Sequence, residues 1–249
     1  MGKGPVSGQG SRWFDSTHWT LVLQAGEVDS TEASAALEEL CRSYWPPLYS
    51  YARYLGLPPA DAEDLTQSFF EDLLSRGAIA RADAERGRFR TFLLTSFKNH
   101  HSRLRTAASR LKRGGGRIIV SLESLKEAEL QFQPEPGNGY SPEEWFDRRW
   151  ALSVLTRALE LVRHEYRKRG HTEVFDELKA LLWGGDSRIG YAEIAERLGM
   201  TEGAIKVAVY RLRRRFGERV RAEVAKTVLK PEDTEEEIRY LLSRVSELP

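Results

Sequence analysis

The sequence contains a single cysteine, Cys41, among 249 residues. One thiol excludes both an intramolecular disulfide and a four-cysteine zinc site. The chain also lacks any run of about eighteen apolar residues, so no membrane-spanning helix is predicted. Its N-terminal stretch, MGKGPVSGQGSR, has no signal-peptide core. These absences predict a cytoplasmic protein that has no membrane partner.

Motifs of the common catalytic sites are also missing. The sequence has no phosphate-binding loop, no nucleophile elbow and no HExxH motif. His100 and His101 are adjacent, so on a helix their side chains point about 100° apart and suit joint metal coordination poorly. The acidic cluster at Asp61, Glu63 and Asp64 has no evident partner ligand. We therefore predict no catalytic residue, no metal site and no cofactor.

The net charge of +1 hides a strong segregation of charge along the chain. Residues 27–75 contain ten acidic and two basic residues, whereas residues 76–117 contain twelve basic and two acidic ones. Residues 200–226 are again basic, eight against three, and the last nineteen residues are acidic, six against two. Such blocks favour a protein that binds DNA on some surfaces and another protein on others.

Hydrophobic periodicity predicts an all-α fold. The three-to-four spacing of apolar residues indicates a helix over 33–54, with a kink or two abutting helices at Pro46 and Pro47. A second helix is predicted over 60–76, burying Leu65, Phe69, Leu73 and Leu74. A third is predicted over 87–113. Its apolar face comprises Phe89, Phe92, Leu93, Phe97 and Leu104.

The opposite face of the third helix is basic, and it carries Arg90, Lys98, Arg103, Arg105, Arg110, Lys112 and Arg113. Asn99 could hydrogen-bond a base edge, and Phe89 or Phe92 could line a slot for an unstacked base. Charges interleaved with aromatic and amide groups suit single-stranded nucleic acid. The alternative, that both Phe side chains belong to the core, is favoured for Phe92.

The second half of the chain follows a glycine-rich break at 114–116. Residues 114–140 are predicted to be a flexible linker with a short helix near 121–131. A capping box at Ser141 and Glu144 begins a long helix to about Lys168, and another helix follows over 172–183. We therefore predict two helical domains, 33–113 and 141–230, with an N-terminal extension over 1–32.

The acidic C-terminal segment, 231–249, is predicted to form a helix that starts at a second capping box, Thr234 with Glu237. Its apolar stripe comprises Ile238, Leu241, Leu242 and Val245. The stripe favours packing of this helix onto the second domain. The alternative hypothesis is that the acidic segment restrains the basic surfaces until a partner binds.

The stretch YAEIAERLGMTEGAIKVAVYRLRRR predicts a helix-turn-helix within the second domain. Gly199 can end the first helix and Thr201 can cap the second. Ile205, Val209 and Leu212 belong to the apolar stripe of the second helix. Its outer face supplies candidate base contacts at Lys206, Val207, Tyr210 and Arg211, and candidate phosphate contacts at Arg213, Arg214 and Arg215.

Three segments in this order resemble bacterial RNA polymerase sigma factors of the extracytoplasmic-function type. The segments are YWPPLYSYAR with PADAEDLTQSFFEDLL, then RGRFRTFLLTSFKNHHSRLR, then the helix-turn-helix. The resemblance implies docking on core RNA polymerase through Asp61, Glu63, Asp64 and Gln67. It places the −10 promoter element at Lys98, Asn99, Arg103 and Arg105, with Asn99 in a pocket for a flipped base. It places the −35 element at Lys206, Val207, Tyr210, Arg211, Arg213 and Arg214.

Other hypotheses stay open at this stage. A stand-alone helix-turn-helix regulator would bind duplex DNA without polymerase, and a nucleic-acid-processing enzyme would need a ligand constellation that the sequence does not show. An anti-sigma factor or another regulator is a further possible partner. The chain also departs from the family at Phe92, where Trp is frequent, and at Thr95, where Arg is frequent. Those departures concern the segment expected to separate the DNA strands.

Overall fold

A computed structural model describes residues 31–75, 88–108, 139–183, 190–228 and 230–246. Within these ranges the chain is all-α and contains no strand, as the periodicity predicted. Short 3-10 helices occupy Lys179–Trp183 and Pro231–Asp233. The α-helices of the described ranges are α1 (Thr31–Tyr54), α2 (Pro59–Ser75), α3 (Phe89–Ala108), α4 (Pro142–Lys168), α5 (Thr172–Leu178), α6 (Tyr191–Leu198), α7 (Glu202–Ala225) and α8 (Thr234–Ser246).

Some predictions concern residues outside these ranges. They are the N-terminal extension up to residue 30, the end of the third helix over 109–113, the linker over 114–138 with its short helix, and the end of the C-terminal segment over 247–249. The predicted helix over 172–183 is found as α5 followed by the 3-10 helix, Lys179–Trp183.

Helix α1 runs through both Pro46 and Pro47 as one helix, so of the two predicted alternatives the abutting helices are wrong and the kink stays a prediction. Two neighbouring prolines remove two backbone hydrogen bonds from a single turn. Burial of Trp45 and Leu48 on either side of the pair offsets that loss, because both side chains belong to the main hydrophobic core.

Aromatic contacts join the first three helices. Phe89 of α3 meets Tyr44 of α1 edge to face at 5.1 Å, and Phe97 of α3 meets Phe69 of α2 in the same way at 5.1 Å. Such pairs add about 0.5–1.5 kcal/mol beyond the burial of their area. The predicted core positions of α2 and α3 are therefore confirmed at these residues.

Leu104 is an exception, because 41% of its surface is exposed. The prediction that it is buried is wrong, since residues 102–106 of α3 extend beyond the core and are all exposed.

The core of the first three helices continues into the second half of the chain. Phe146, Trp150 and Ala151 of α4 are buried in the same cluster, and so are Val224 of α7 and Leu241 of α8. The segments 33–113 and 141–230 thus contribute to one core. That each segment folds as an independent domain stays a prediction.

A second cluster lies along the C-terminal half of α4. Val162 of α4 is buried there with Phe175 of α5, Ile194 of α6, and Ile205 and Val209 of α7. The helix pair α6–α7 is held by this cluster, while the far end of α7 reaches the main core. Helix α7 therefore connects the two clusters as one continuous rod.

The two predicted capping boxes have different outcomes. Ser141 Oγ accepts a hydrogen bond from the Glu144 N–H at 3.2 Å, and the Ser141 N–H donates to Glu144 Oε2 at 2.8 Å, so the first box is confirmed. The second is wrong. Thr234 has helical angles, φ −58° and ψ −45°, whereas an N-cap residue is non-helical, and the Glu237 carboxylate is bound by two arginines.

Candidate nucleic-acid interface

The acidic side of α2 faces outward. Asp61 and Asp64 are exposed, and Glu63 and Gln67 are partly exposed. Gln67 Nε2 donates to Glu71 Oε1 at 3.2 Å. The opposite side of α2 is buried in the main core through Leu65 and Phe69, among others. The four residues predicted to bind polymerase therefore share the surface side of a helix whose orientation is set by its apolar face.

Helix α3 places its basic residues in several different surroundings. Lys98 Nζ lies 2.6 Å from Glu143 Oε1 at the start of α4. The hydrogen bond with Glu143 raises the pKa of Lys98, and the same bond lowers the pKa of Glu143. Both side chains are about half exposed, so this ion pair can exchange for other partners at little cost.

Arg103 lies on the α2 side of the same helix. Its Nη2 is 2.7 Å from Asp72 Oδ2, and His100 Nδ1 is 3.4 Å from that same oxygen. His100 is buried, and its Nε2 lies 3.0 Å from Ser68 Oγ. The two groups thus connect α3 to α2, and this contact was not predicted from the sequence. Asp72 and Arg103 lie on different helices, so the residue spacing within either helix could not have predicted that they pair.

An open cleft of about 490 Å³ lies along α3. Its lining residues come from α1 and α3, and they are Tyr51, Lys98, His101, Ser102, Arg105 and Thr106. Burial lowers the pKa of His101, and the neighbouring Arg105 lowers it further. The cleft therefore brings together two of the predicted −10 residues, Lys98 and Arg105.

Asn99 does not line this cleft, although it is exposed on the same helix. Tyr51 and His101 were missed by sequence reasoning as candidates for this surface. Tyr51 follows the apolar spacing of α1, so its pattern predicted a core residue, and it is in fact almost fully buried. Only the crossing of α1 and α3 shows that it lines the cleft.

Arg90 is a clear correction to the predicted basic face. It is buried, 7% exposed, rather than available to a phosphate. Its Nε lies 2.6 Å from Glu237 Oε1 and its Nη1 lies 2.6 Å from Asp147 Oδ1. Burial opposes its charge, but Glu237 and then Asp147 outweigh that effect and raise its pKa. Phe89 is buried in the main core, and this sets the rotation of the first turn of α3. The same rotation directs the next residue, Arg90, towards α4 and α8.

Phe89 also cannot serve as a slot for a base. It is buried in the main core, and Phe92 packs against that core as a partly buried residue. Of the two interpretations offered by the sequence, the core assignment is correct for Phe89, and it also describes Phe92.

The helix pair α6–α7 has the local geometry that its sequence predicted. Gly199 ends α6 in the left-handed conformation, φ 62° and ψ 29°. Thr201 Oγ1 accepts a hydrogen bond from the Ala204 N–H at 3.2 Å and caps α7. Ile205, Val209 and Leu212 are all buried, so the outward direction of the remaining residues is fixed.

The predicted −35 residues lie on the outer face of α7, and all of them are exposed: Lys206, Val207, Tyr210, Arg211, Arg213 and Arg214. Tyr210 is 67% exposed and Val207 is 49% exposed, so both present apolar surface to solvent on this face. An outward tyrosine and valine among cations suit contact with base edges and thymine methyl groups.

Several of these cations have partners within the chain. Lys206 is paired with Glu202 at 2.7 Å, and the hydrogen bond between them raises the pKa of Lys206. Arg214 is paired with Glu218 at 3.0 Å. Arg213 Nη2 donates to the Leu181 carbonyl oxygen at 2.6 Å, which anchors α7 to the 3-10 helix after α5. Arg213 thus has a positioning contact that its sequence pattern did not reveal.

Other kinds of site were also sought. No group of three or more potential metal ligands converges within the described ranges. Among the helices that the structure describes, none is both long and apolar enough to cross a bilayer.

Comparison with known families gives one result. Residues 40–113 match the family model for Sigma-70 region 2. This span covers most of α1 and all of α2 and α3, so it contains the acidic side of α2 and the cleft along α3. Searches of curated proteins and of solved structures gave no match. The Sigma-70 region 2 match supports a sigma-70 family factor, a protein that takes part in promoter recognition and transcription initiation.

Proposed function

We propose that this chain is a sigma factor of the extracytoplasmic-function type. It binds core RNA polymerase in the cytoplasm, directs the enzyme to specific promoters and assists strand separation, without catalysis of its own. The observation that carries the proposal is the Sigma-70 region 2 match over residues 40–113. The helix pair α6–α7 supports it, because it presents a second basic and aromatic surface about 100 residues further along the chain.

The proposed roles follow the surfaces described above. Exposed Asp61 and Asp64, with Glu63 and Gln67 beside them, form the docking surface for polymerase. The basic part of α3 contacts the −10 element, with Lys98 and Arg105 along the cleft. Asn99 and Arg103 are exposed on the same helix outside the cleft, and the resemblance implies that they contact the −10 element as well. On α7, Lys206, Val207, Tyr210 and Arg211 read the −35 element, while Arg213 and Arg214 bind its backbone.

The proposal is tested by transcription with purified core polymerase on a library of promoters. We expect promoter-specific initiation only when the full-length protein is added. Tight binding to duplex DNA without polymerase, together with no initiation, would instead support a stand-alone regulator. The observation that favours a stand-alone regulator is the exposed outer face of α7, which is accessible to duplex DNA without polymerase.

The docking surface has its own test. Asp61→Lys together with Asp64→Lys should weaken the affinity of the full chain for core polymerase by at least about tenfold, because exposed carboxylates on a binding surface steer and orient their partner. Glu160→Lys together with Glu173→Lys is a control matched in charge, since both are exposed acidic residues outside that surface. Equal loss of affinity in the control would show that net charge, and not the α2 surface, determines binding.

A further inference from the structure

The C-terminal helix α8 is joined to the start of α3 by a buried ion cluster. Arg90 of α3 lies between Glu237 of α8 and Asp147 of α4, at 2.6 Å from each carboxylate. Glu237 is 1% exposed. Removing one partner from a buried ion pair leaves an uncompensated charge, which is strongly unfavourable. The cluster therefore holds three helices in one arrangement.

Further contacts surround this cluster. Arg88 Nε lies 2.7 Å from Glu237 Oε2, and Arg88 is also paired with Glu236. The Tyr240 hydroxyl donates to Asp147 Oδ2 at 2.5 Å, and the Tyr240 ring lies 4.1 Å from the Arg90 guanidinium carbon. Burial raises the pKa of Tyr240 and Asp147 raises it further, so this hydroxyl keeps its proton and stays a donor.

Helix α8 contacts the second half of the chain as well. Leu241 is fully buried in the shared core, and Glu235 is paired with Arg221 of α7 at 2.6 Å. One short helix thus bridges the segment that matches Sigma-70 region 2 and the helix that presents the −35 residues. Its acidic first turn supplies Glu236 and Glu237 to the arginines at the start of α3, and Glu235 to Arg221 of α7.

The bridged arrangement is too short for a bipartite promoter. Lys98 is bound to Glu143 at the start of α4, and Val162 of α4 shares a cluster with Ile205 of α7. Nineteen residues of helix separate Glu143 from Val162, which is about 28 Å. With the widths of α3 and α7 added, Lys98 of the −10 set and Lys206 of the −35 set are roughly 50 Å apart at most. Elements centred 25 base pairs apart on straight DNA are about 85 Å apart at 3.4 Å per base pair.

We propose that α8 is an intramolecular latch that holds the chain in a closed form unable to contact both promoter elements. Release requires α3 to leave Glu237 of α8 and the two carboxylates of α4, Asp147 and Glu143. Opening costs free energy, because the two halves share an apolar core that would become exposed. Binding to core polymerase supplies that free energy by favouring the open form. This inference rests on the proposed function.

A reversible cross-link tests the latch. Arg88→Cys and Glu236→Cys are introduced into a chain that also carries Cys41→Ser, and the two thiols are joined with a bismaleimide that contains a cleavable disulfide. The linked protein should lose at least about 90% of promoter-specific initiation and recover it when the linker is reduced. Recovery within the same molecules excludes misfolding as the cause. Equal initiation by the linked and the reduced protein would overturn the proposal.

The matched control links the same helix within the second half of the chain. Arg221→Cys with Glu235→Cys replaces the ion pair between α7 and α8, so its cross-link leaves α3 free to separate. Initiation should be the same before and after reduction. Loss of initiation in this control would overturn the latch, since restraint of α8 anywhere would then be sufficient.

A distance measurement separates failure of the latch from failure of the proposed function. Fluorophores at Thr95→Cys and Glu196→Cys, again with Cys41→Ser, report the separation of α3 and α6 in the free chain. We expect less than about 50 Å by the helix lengths above. A separation near 85 Å in the free chain would overturn the latch. If the cross-linked protein initiates at no promoter even after its linker is reduced, the proposed function fails. The distance in the free chain then still shows whether the closed form exists.

Discussion

At the scale of single residues, Arg90 and Arg105 are two arginines of one helix that contribute differently to the stability of the protein. Arg90 is enclosed by Glu237 and Asp147, whereas Arg105 is exposed along the cleft. Removing a cation that lies between a buried and a partly buried carboxylate leaves both uncompensated, whereas water replaces an exposed cation. Stability therefore depends more on the first residue, while the second stays available to a ligand.

Arg90→Met should destabilise the protein by about 3–5 kcal/mol, because Glu237 would stay buried, and Asp147 partly buried, without their partner. Urea unfolding of the two proteins measures the difference. Arg105→Met is the control, and it should change the free energy of unfolding by no more than about 0.5 kcal/mol. Similar effects of both substitutions would show that the cluster is not a buried ion pair in solution.

His101 gives a prediction of pH dependence. Burial lowers its pKa below the ordinary value of 6.5, and Arg105 lowers it further. The unfolded chain therefore binds this proton at a higher pH than the folded chain, so stability falls as the pH decreases from 6.5 through the folded pKa. An NMR titration of the imidazole ring should show the lowered value, and His101→Gln should remove this part of the acid sensitivity.

Arg105→Gln is the companion variant for His101. It should move the pKa of His101 upward but not fully to 6.5, since burial is the larger cause. A pKa at or above 6.5 in the unmodified protein would contradict the partly buried position of this ring beside Arg105.

At the scale of elements, the turn between α6 and α7 determines how the outer face of α7 is presented. Gly199 has φ 62°, whereas Gly217 lies in the interior of α7. A Cβ on either glycine would meet nothing within 4 Å, so space is not the difference between them. The difference is the backbone conformation, because only the first position is left-handed.

Gly199→Ala should therefore cost about 1–2 kcal/mol of stability, since L-residues are strained in the left-handed region. Gly217→Ala should instead stabilise the protein by roughly 0.5–1 kcal/mol, because alanine is preferred inside a helix. Thermal unfolding of the two variants checks the opposite signs. A stabilising Gly199→Ala would show that the turn does not adopt this geometry.

At the scale of the whole molecule, one core connects the segment that matches Sigma-70 region 2 to the last two helices. Trp150 of α4 is fully buried in that core, which also contains Val224 of α7 and Leu241 of α8. Such a shared core couples the unfolding of both halves, because neither can open without exposing the other's apolar surface.

The free chain should accordingly unfold in a single cooperative transition when followed by circular dichroism and by tryptophan fluorescence. Leu93→Ala in the first half and Val224→Ala in the second should both lower the midpoint for both probes, with about 2–5 kcal/mol lost for the leucine. Two separate transitions, each sensitive to only one of the substitutions, would show two independent domains instead.

The sequence by itself determined the helices and their surfaces. Local rules are sufficient for the Ser141 capping box, the left-handed Gly199 and the apolar stripe of α7, because each depends on neighbours within a few residues. The same periodicity located the acidic side of α2. It also predicted the outer face of α7, where Tyr210 is now found exposed.

Only the tertiary structure decided which charges are available. Arg90, Lys98 and Arg103 have the same helical periodicity as free basic residues, yet each is bound to a carboxylate from another helix. Those partners are distant in sequence, and Glu237 is separated from Arg90 by 147 positions. A charge pattern records how many ions a helix carries, but the crossing of helices determines which of them are neutralised within the chain and which face a partner.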